Sequence, residues 1–299
     1  MRIAILLTCF NRKQFTIKCL ESVELALKQQ IIKASYSIYL TDDGSSDGTA
    51  AAVSKLFPKV IILKGNGNLF WAGGMKNSWF KALERNYDGY LLLNDDTIIF
   101  EYFFLQLENG INDCYSIYKK NGILIGSTKD KQSNNLTYGG SVYLNKFKAT
   151  YRNLYPNGSY QECQLGNGNI MFVHKDVVEK IGILSKDYIH GVADYDYTYR
   201  SHKNGIPVLV LPYFSGYCSP NILNKNIFFL SLKTINKRYK YLYSPIGLAF
   251  NDNLVFQKAF FKERLLLVFI VAHFKVLFPN IYIWLNNFFR KSNKNIDHN

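Results

Sequence analysis

At 299 residues and 48% apolar composition, the chain is long enough for one large domain, or a domain with an appendage, and apolar enough to build a core. The net charge of +14 is uneven, since residues 221–299 hold 12 Lys and Arg against 3 Asp and Glu, so the basicity is mostly a property of the tail. Five scattered cysteines (Cys9, Cys19, Cys114, Cys163, Cys218), odd in number and without a CxxC pair, argue against a disulfide framework and a zinc site and fit a reducing cytoplasm.

In chain order, the pattern predicts a strand over 3–8, a helix near 14–29 and a strand over 37–41. A turn at Gly44-Ser45-Ser46-Asp47-Gly48 leads to a helix ending near 57, a strand over 60–63, a helix near 75–85 and a strand over 90–93. This βαβ alternation implies an open, mainly parallel sheet, and such sheets bind ligands at the carboxyl ends of their strands. Three polar loops fall there: Thr8-Cys9-Phe10-Asn11-Arg12, Asp42-Asp43-Gly44-Ser45 and Asn94-Asp95-Asp96. Between 122 and 216 the periodicity weakens, with Gly-rich turns, a helix near 175–181 and a strand over 208–211, which reads as the second half of the same domain. A composition shift to Lys, Asn, Phe and Leu marks a boundary, giving domains 1–220 and 221–299. The N-terminus is strand-like and lacks a small-residue cleavage site, so no signal peptide is expected.

The richest segment is Leu91-Leu92-Leu93-Asn94-Asp95-Asp96, a buried-strand pattern running into two adjacent carboxylates. Mutual repulsion calls for a counter-charge, and Mg²⁺ or Mn²⁺ shared with substrate phosphates supplies one. Asp96 is then the metal residue with Asp95 beside it, while Asp42 or Asp43 accepts from a ribose or base. Gly65, Gly67 and Gly73-Gly74 would let backbone approach phosphate, or serve as ordinary turns and a helix start. A second cluster, Ala193-Asp194-Tyr195-Asp196 with Arg200, offers a carboxylate in a first helical turn as general base, or merely a helix cap.

The ordered set Thr8-Cys9-Phe10-Asn11-Arg12, Asp42-Asp43-Gly44-Ser45-Ser46-Asp47-Gly48-Thr49, Asn94-Asp95-Asp96 and Ala193-Asp194-Tyr195-Asp196 with Arg200 resembles family 2 glycosyltransferases over roughly residues 1–220. The block Gly67-Asn68-Leu69-Phe70-Trp71-Ala72-Gly73-Gly74-Met75 resembles the bacterial rhamnosyltransferase-type branch. The resemblance implies an α/β fold of GT-A type, a Rossmann-like open sheet with flanking helices, followed here by a basic, aromatic helical appendage. It implies an inverting, metal-dependent enzyme that moves a sugar from a UDP- or dTDP-linked donor to a saccharide or lipid-linked saccharide in surface polysaccharide synthesis. By resemblance, Thr8, Cys9, Phe10, Asn11, Arg12, Asp42, Asp43, Gly74, Asn94 and Asp95 line the donor, Asp96 holds Mn²⁺ or Mg²⁺, and Asp194 is the base. Gly168, Asn169, Asp196 and Arg200 fall on the acceptor side, although Gly166-Asn167-Gly168-Asn169 also reads as a hairpin turn. Two departures stand out: Ala193 replaces the family's acidic neighbour of the base, which would lower that base's pKa relative to the family, and Leu211 to Cys218 lacks the late His ligand of many relatives.

In the tail, Leu265-Leu266-Leu267-Val268-Phe269-Ile270-Val271-Ala272 is strongly apolar but short of the ~20 residues a span requires. Flanking Lys258, Lys262, Arg264, Lys275, Arg290 and Lys291, interleaved with Phe260, Phe261, Trp284, Phe288 and Phe289, fit peripheral attachment to the inner face of the cytoplasmic membrane, or a helical appendage packed on the domain or on a second copy. No nucleic-acid motif is present, and acidic loops would repel phosphates of such a partner. The rival functions are a sugar-1-phosphate nucleotidylyltransferase, disfavoured by the absence of a Gly-rich basic first loop, and a non-catalytic carbohydrate-binding relative.

Overall fold

Ile3, Ala4, Ile5, Leu6 and Leu7 are all fully buried, which marks a strand covered on both faces. In the computed structural model, which describes residues 1–29, 34–220 and 225–285, this strand is β1 (Arg2–Cys9). It is followed by α1 (Lys13–Lys28), β2 (Ser35–Asp42), α2 (Thr49–Leu56), β3 (Ile61–Lys64), α3 (Phe70–Leu83) and β4 (Gly89–Leu93). The four strands are parallel, in the order β3-β2-β1-β4.

The next elements are β5 (Ile98–Ile99), α4 (Phe103–Tyr118), β6 (Ile123–Lys129), β7 (Leu136–Tyr138), β8 (Gly140–Asn145) and β9 (Thr150–Asn153). After them come β10 (Gln161–Glu162), β11 (Leu165–Gly166), β12 (Ile170–His174), α5 (Lys175–Ile181), α6 (Ala193–Lys203) and β13 (Val208–Tyr217). The expected α/β architecture is therefore present, with one difference. β12 enters between β4 and β6 antiparallel to both, so only the first half of the sheet is uniformly parallel. β12 is reached from β11 by three residues, and a helical crossover is what a parallel return needs. β11, β8 and β9 form a separate small sheet.

Period-two alternation sends side chains into two cores. Ile3, Ile5, Leu7, Leu91 and Leu93 meet α1 and α4 through Cys19, Leu20, Val23, Phe103 and Leu107. Ala4, Leu6 and Leu92 meet α3 and α6 through Met75, Trp79 and Tyr197. The polar loops at the carboxyl ends of β1, β2 and β4 are thus anchored on a sheet packed from both sides.

By its contacts the chain divides into two units, Met1–Pro220 and Asn221–Asn299. The second contains α7 (Lys225–Ser231), α8 (Ile235–Tyr243), α9 (Phe250–Phe260) and α10 (Leu265–Leu277), around a small core of Phe229, Leu242, Phe250 and Val276. Among the described residues no single helix is long and apolar enough to cross a membrane, although a bent pair, Lys262–Leu277 and Pro279–Leu285, passes by length and composition. Phe288, Phe289, Arg290 and Lys291 of the expected basic-aromatic tail lie outside the described residues.

Candidate active site

The loops after β1 and β2 are sewn together by polar groups. Asn11, at φ +52°, donates its amide to Ser45 Oγ (2.8 Å), and its side-chain oxygen accepts from the Ser46 amide (2.7 Å). Asp47 accepts the Lys13 amide at the start of α1 and the Thr49 amide at the start of α2. Asp42 accepts from the Ser45 amide (2.8 Å). Phe10 stands on the same loop with half its surface exposed.

The loop after β4 carries the acidic pair, and its counter-charge is Arg12, from 83 residues upstream. One guanidinium NH₂ donates to Asp96 Oδ2 at 2.6 Å, and Nε lies 3.3 Å from Asp95 Oδ2. Burial opposes the Arg12 charge, but the two carboxylates outweigh it and hold the guanidinium a firmer cation than usual. Asp95 is buried, and loss of solvent with Asp96 alongside pushes its pKa up to about 7, against the pull of Arg12 and a 3.4 Å hydrogen bond from Thr16. Asp96 is the more exposed partner. Its Oδ1 accepts from Cys218 Sγ (3.6 Å), at the end of β13, and burial pushes that thiol up to about 12, so it is a neutral donor.

Asp194 lies in the first turn of α6 and comes to the same place by a short path. Its Oδ2 accepts the Gly168 amide (2.9 Å) and its Oδ1 the Tyr195 amide (2.9 Å). Gly168 sits between β11 and β12, a strand joined to the first sheet on one side and a strand of the second on the other, so the Gly-rich segment is a crossing between sheets and not a hairpin turn. A Cβ at Gly168 would run into the Trp71 ring. The Trp71 indole N–H donates to Asn94 Oδ1 at 2.7 Å, and the Asn94 amide donates to the Asn169 carbonyl at 3.0 Å. Asn169 also donates to Cys218 Sγ (3.4 Å). The acidic loop and Asp194 therefore share one wall, made of Trp71, Asn94, Gly168 and Asn169. Loss of an acidic neighbour at Ala193 does not leave Asp194 an ordinary carboxyl: burial pushes its pKa up, and amides of Gly168 and Tyr195, with the Asn167 side chain, pull the other way.

With this geometry in view, the sequence matches the family described as glycosyl transferase family 2 over residues 4–162, more than half of the chain. The chain belongs to glycosyl transferase family 2. The fold is shared with the crystal structure of S. aureus TarS, at a TM-score of 0.51 and 14% identity, over 92% of this chain and 44% of that one. The 1–349 fragment of S. aureus TarS aligns at 0.49 and 15% identity, over 94% and 74% of the two chains. The same fragment in complex with UDP aligns at 0.49 and 16%, over 84% and 69%. No curated protein matches the chain.

Within this family 2 domain, several expected site residues make contacts that hold the frame. Cys9 points into the core between the sheet and α1. Asp43 is buried, and its carboxylate is taken by three backbone amides, Gly67 (2.8 Å), Leu69 (2.8 Å) and Phe70 (3.0 Å), so it caps the start of α3. A Cβ at Gly74 would strike the Thr8 side chain, so these two positions seat α3 on the end of β1. Asp196 and Arg200, expected on the acceptor side, are engaged within the protein. Asp196 is buried, accepts from Tyr188 (3.1 Å) and pairs with Arg200 (3.4 Å), while Arg200 donates to the Ile181 and Ile183 carbonyls. They anchor α6 to the loop before it. Conversely, Trp71, Cys218 and Thr16 all touch the acidic loop, although no motif assigns them a role there. No local signal marks them, since Gly168, which leaves room beneath the Trp71 ring, lies in a distant segment.

Proposed function

We propose that this protein is an inverting glycosyltransferase that moves a sugar from a UDP- or dTDP-linked donor to a hydroxyl of a saccharide or lipid-linked saccharide in bacterial surface polysaccharide synthesis. The observation that supports the reading is the shared wall: Trp71, Asn94, Gly168 and Asn169 link the Arg12-held acidic pair to Asp194.

The donor set suits Mn²⁺ or Mg²⁺, which prefer carboxylate oxygens and leave positions for diphosphate and water. Among the described residues no group of three or more His, Cys, Asp and Glu side chains could hold a metal, so the fit is to an ion shared with the nucleotide and not to an all-protein cage. Asp96 would hold it, with Asp95 behind, and when bound it supplies charge neutralisation for the departing diphosphate. Arg12, hydrogen-bonded to Asp96 in the free protein, is within reach of the same negative charge and can exchange one partner for the other. Phe10 offers an exposed ring for the base, and Asn11 holds its loop open beside it.

Asp194 takes the proton from the acceptor hydroxyl. The hydroxyl oxygen attacks the anomeric carbon, the bond to the diphosphate oxygen breaks, and the configuration inverts in one displacement. The amides of Gly168 and Tyr195 fix the carboxylate in place and favour its ionised form against the burial that raises its pKa. We place the reaction in the cytoplasm at the inner membrane face, where the basic C-terminal unit meets anionic lipid.

The test is donor binding and transfer in the same preparation. Thermal shift with UDP, dTDP and GDP sugars in Mn²⁺ identifies the donor, since binding raises stability by mass action. Asp194→Asn is expected to keep that shift and lose transfer by about 10²- to 10⁴-fold. Normal turnover in Asp194→Asn would refute the assignment of the base.

A further inference from the structure

The C-terminal unit contains a helix that is apolar outside as well as inside, since Val276 lies in its core with Val268 and Ala272 packed against it. In α10, Lys275 and Val276 are buried, and the Lys275 ammonium sits 4.6 Å from the ring centre of Phe229 and 5.5 Å from that of Tyr282. Burial pushes the Lys275 pKa down to about 8. Meanwhile Leu266, Leu267, Phe269, Ile270 and Val271 are exposed, Leu266 at 71%. A helix lying in water turns a polar face outward.

Two of these exposed residues, Leu266 and Phe269, also line a groove of about 450 Å³ between α9 and α10. Its other walls are Leu254, Val255 and Leu265, and Lys258 is the charged residue on its lining. The volume falls within the ~300–1,000 Å³ of small-molecule sites, and an apolar lining with one placed charge is what selects an amphiphile over a polar metabolite. Lys258 and Lys262 are exposed at the end of α9 and just after it, and residues 221–299 carry 12 Lys and Arg against 3 Asp and Glu, a charge complementary to acidic lipid.

We propose that this groove takes one hydrocarbon chain of an anionic phospholipid, with Lys258 at the headgroup phosphate and the exposed face of α10 lying against neighbouring lipid. The site rests on the reading of this unit as membrane-facing, and adds to it a bound lipid with defined contacts. α10 has 13 residues, roughly 20 Å of helix, against ~30 Å of bilayer core, so by itself it is too short to span and fits a helix along the surface.

The full chain is incubated with dioleoyl phosphatidylglycerol or dioleoyl phosphatidylcholine and examined by native mass spectrometry, and its flotation is measured on vesicles of the same lipids. One phosphatidylglycerol is expected to stay bound per chain, with phosphatidylcholine retained far less. Val255→Trp, which fills the groove, and Lys258→Glu, at an exposed position, should each lower that occupancy by roughly tenfold or more. Leu266→Asp with Ile270→Asp should abolish flotation. Equal retention of phosphatidylglycerol by Val255→Trp and Lys258→Glu would overturn the groove, and if the double aspartate variant alone loses flotation, membrane attachment stands without it. Flotation of that double variant like wild type would overturn both. A dimer that forms without lipid and is broken by Val255→Trp would assign the groove to a second copy and overturn the lipid.

Discussion

Two pairs of adjacent aspartates stand at the ends of parallel strands, Asp42-Asp43 after β2 and Asp95-Asp96 after β4, and they have opposite fates. The first pair is consumed by backbone: Asp42 takes one amide, and Asp43 takes three at the start of α3. The second pair is balanced by the guanidinium of Arg12. Backbone amides are fixed donors, whereas an arginine side chain can change partners. Two sequence-identical dipeptides thus meet helix starts differently: the start of α3 turns backbone amides on Asp43, whereas the start of α1 reaches Asp95 and Asp96 with the side chains of Thr16 and Arg12.

Removing one carboxylate from each pair should separate these fates. Asp96→Ala is expected to cost roughly 10³-fold in transfer and to weaken metal-dependent donor binding, with little change in melting temperature. Asp43→Ala is expected to do the reverse: loss of three charge-assisted hydrogen bonds costs about 2–3 kcal/mol, and thermal denaturation should show a matching fall with donor affinity largely kept in the folded fraction. If Asp43→Ala instead abolished donor binding at full stability, the division between scaffold and site would fail.

A subtler handle is pH. Asp95 is raised from 3.8 to about 7, so in the folded state it holds a proton that the unfolded chain has already lost. Its contribution to stability is full below 3.8 and is lost as pH rises through about 7, and in metal-free buffer denaturant midpoints should decline across that window. Asp95→Asn should flatten the decline, while Arg12→Gln, which removes the group pulling this pKa down, should extend it to higher pH. The smallest effect belongs to Asn167→Ala. Its side chain helps keep Asp194 ionised, so its loss should move the acid limb of the transfer rate slightly upward in pH without altering the plateau.

The parallel half of the sheet was legible because each strand is a short apolar run followed by a helix of clear period, and Ile3 to Leu7 alternate between two cores. α4 was not, since Asn109-Gly110 and Asn112 interrupt a pattern whose apolar residues, Phe103, Phe104, Leu107 and Cys114, still share one core. The antiparallel entry of β12 was equally hidden, because nothing in Gly166-Asn167-Gly168-Asn169 distinguishes a crossing between sheets from a turn. Of the site, adjacent charges could be read directly. Which carboxylates meet amides could not, because Asp43 is capped by residues 24 to 27 positions away and Asp196 is held by a loop that reveals no partner in sequence. Trp71 and Cys218 reach the acidic loop from 23 and 122 residues away, a distance over which no local pattern carries information.

The central claim, that the acidic loop and Asp194 flank one donor crevice, is tested most directly by a crystal structure of the protein with Mn²⁺ and UDP. The expected result is a diphosphate between Arg12 and Asp96, with the metal on Asp96 and with Asp194 facing the open side of the terminal phosphate. A nucleotide bound away from Asp96, or a diphosphate walled off from Asp194 by Trp71, would contradict it.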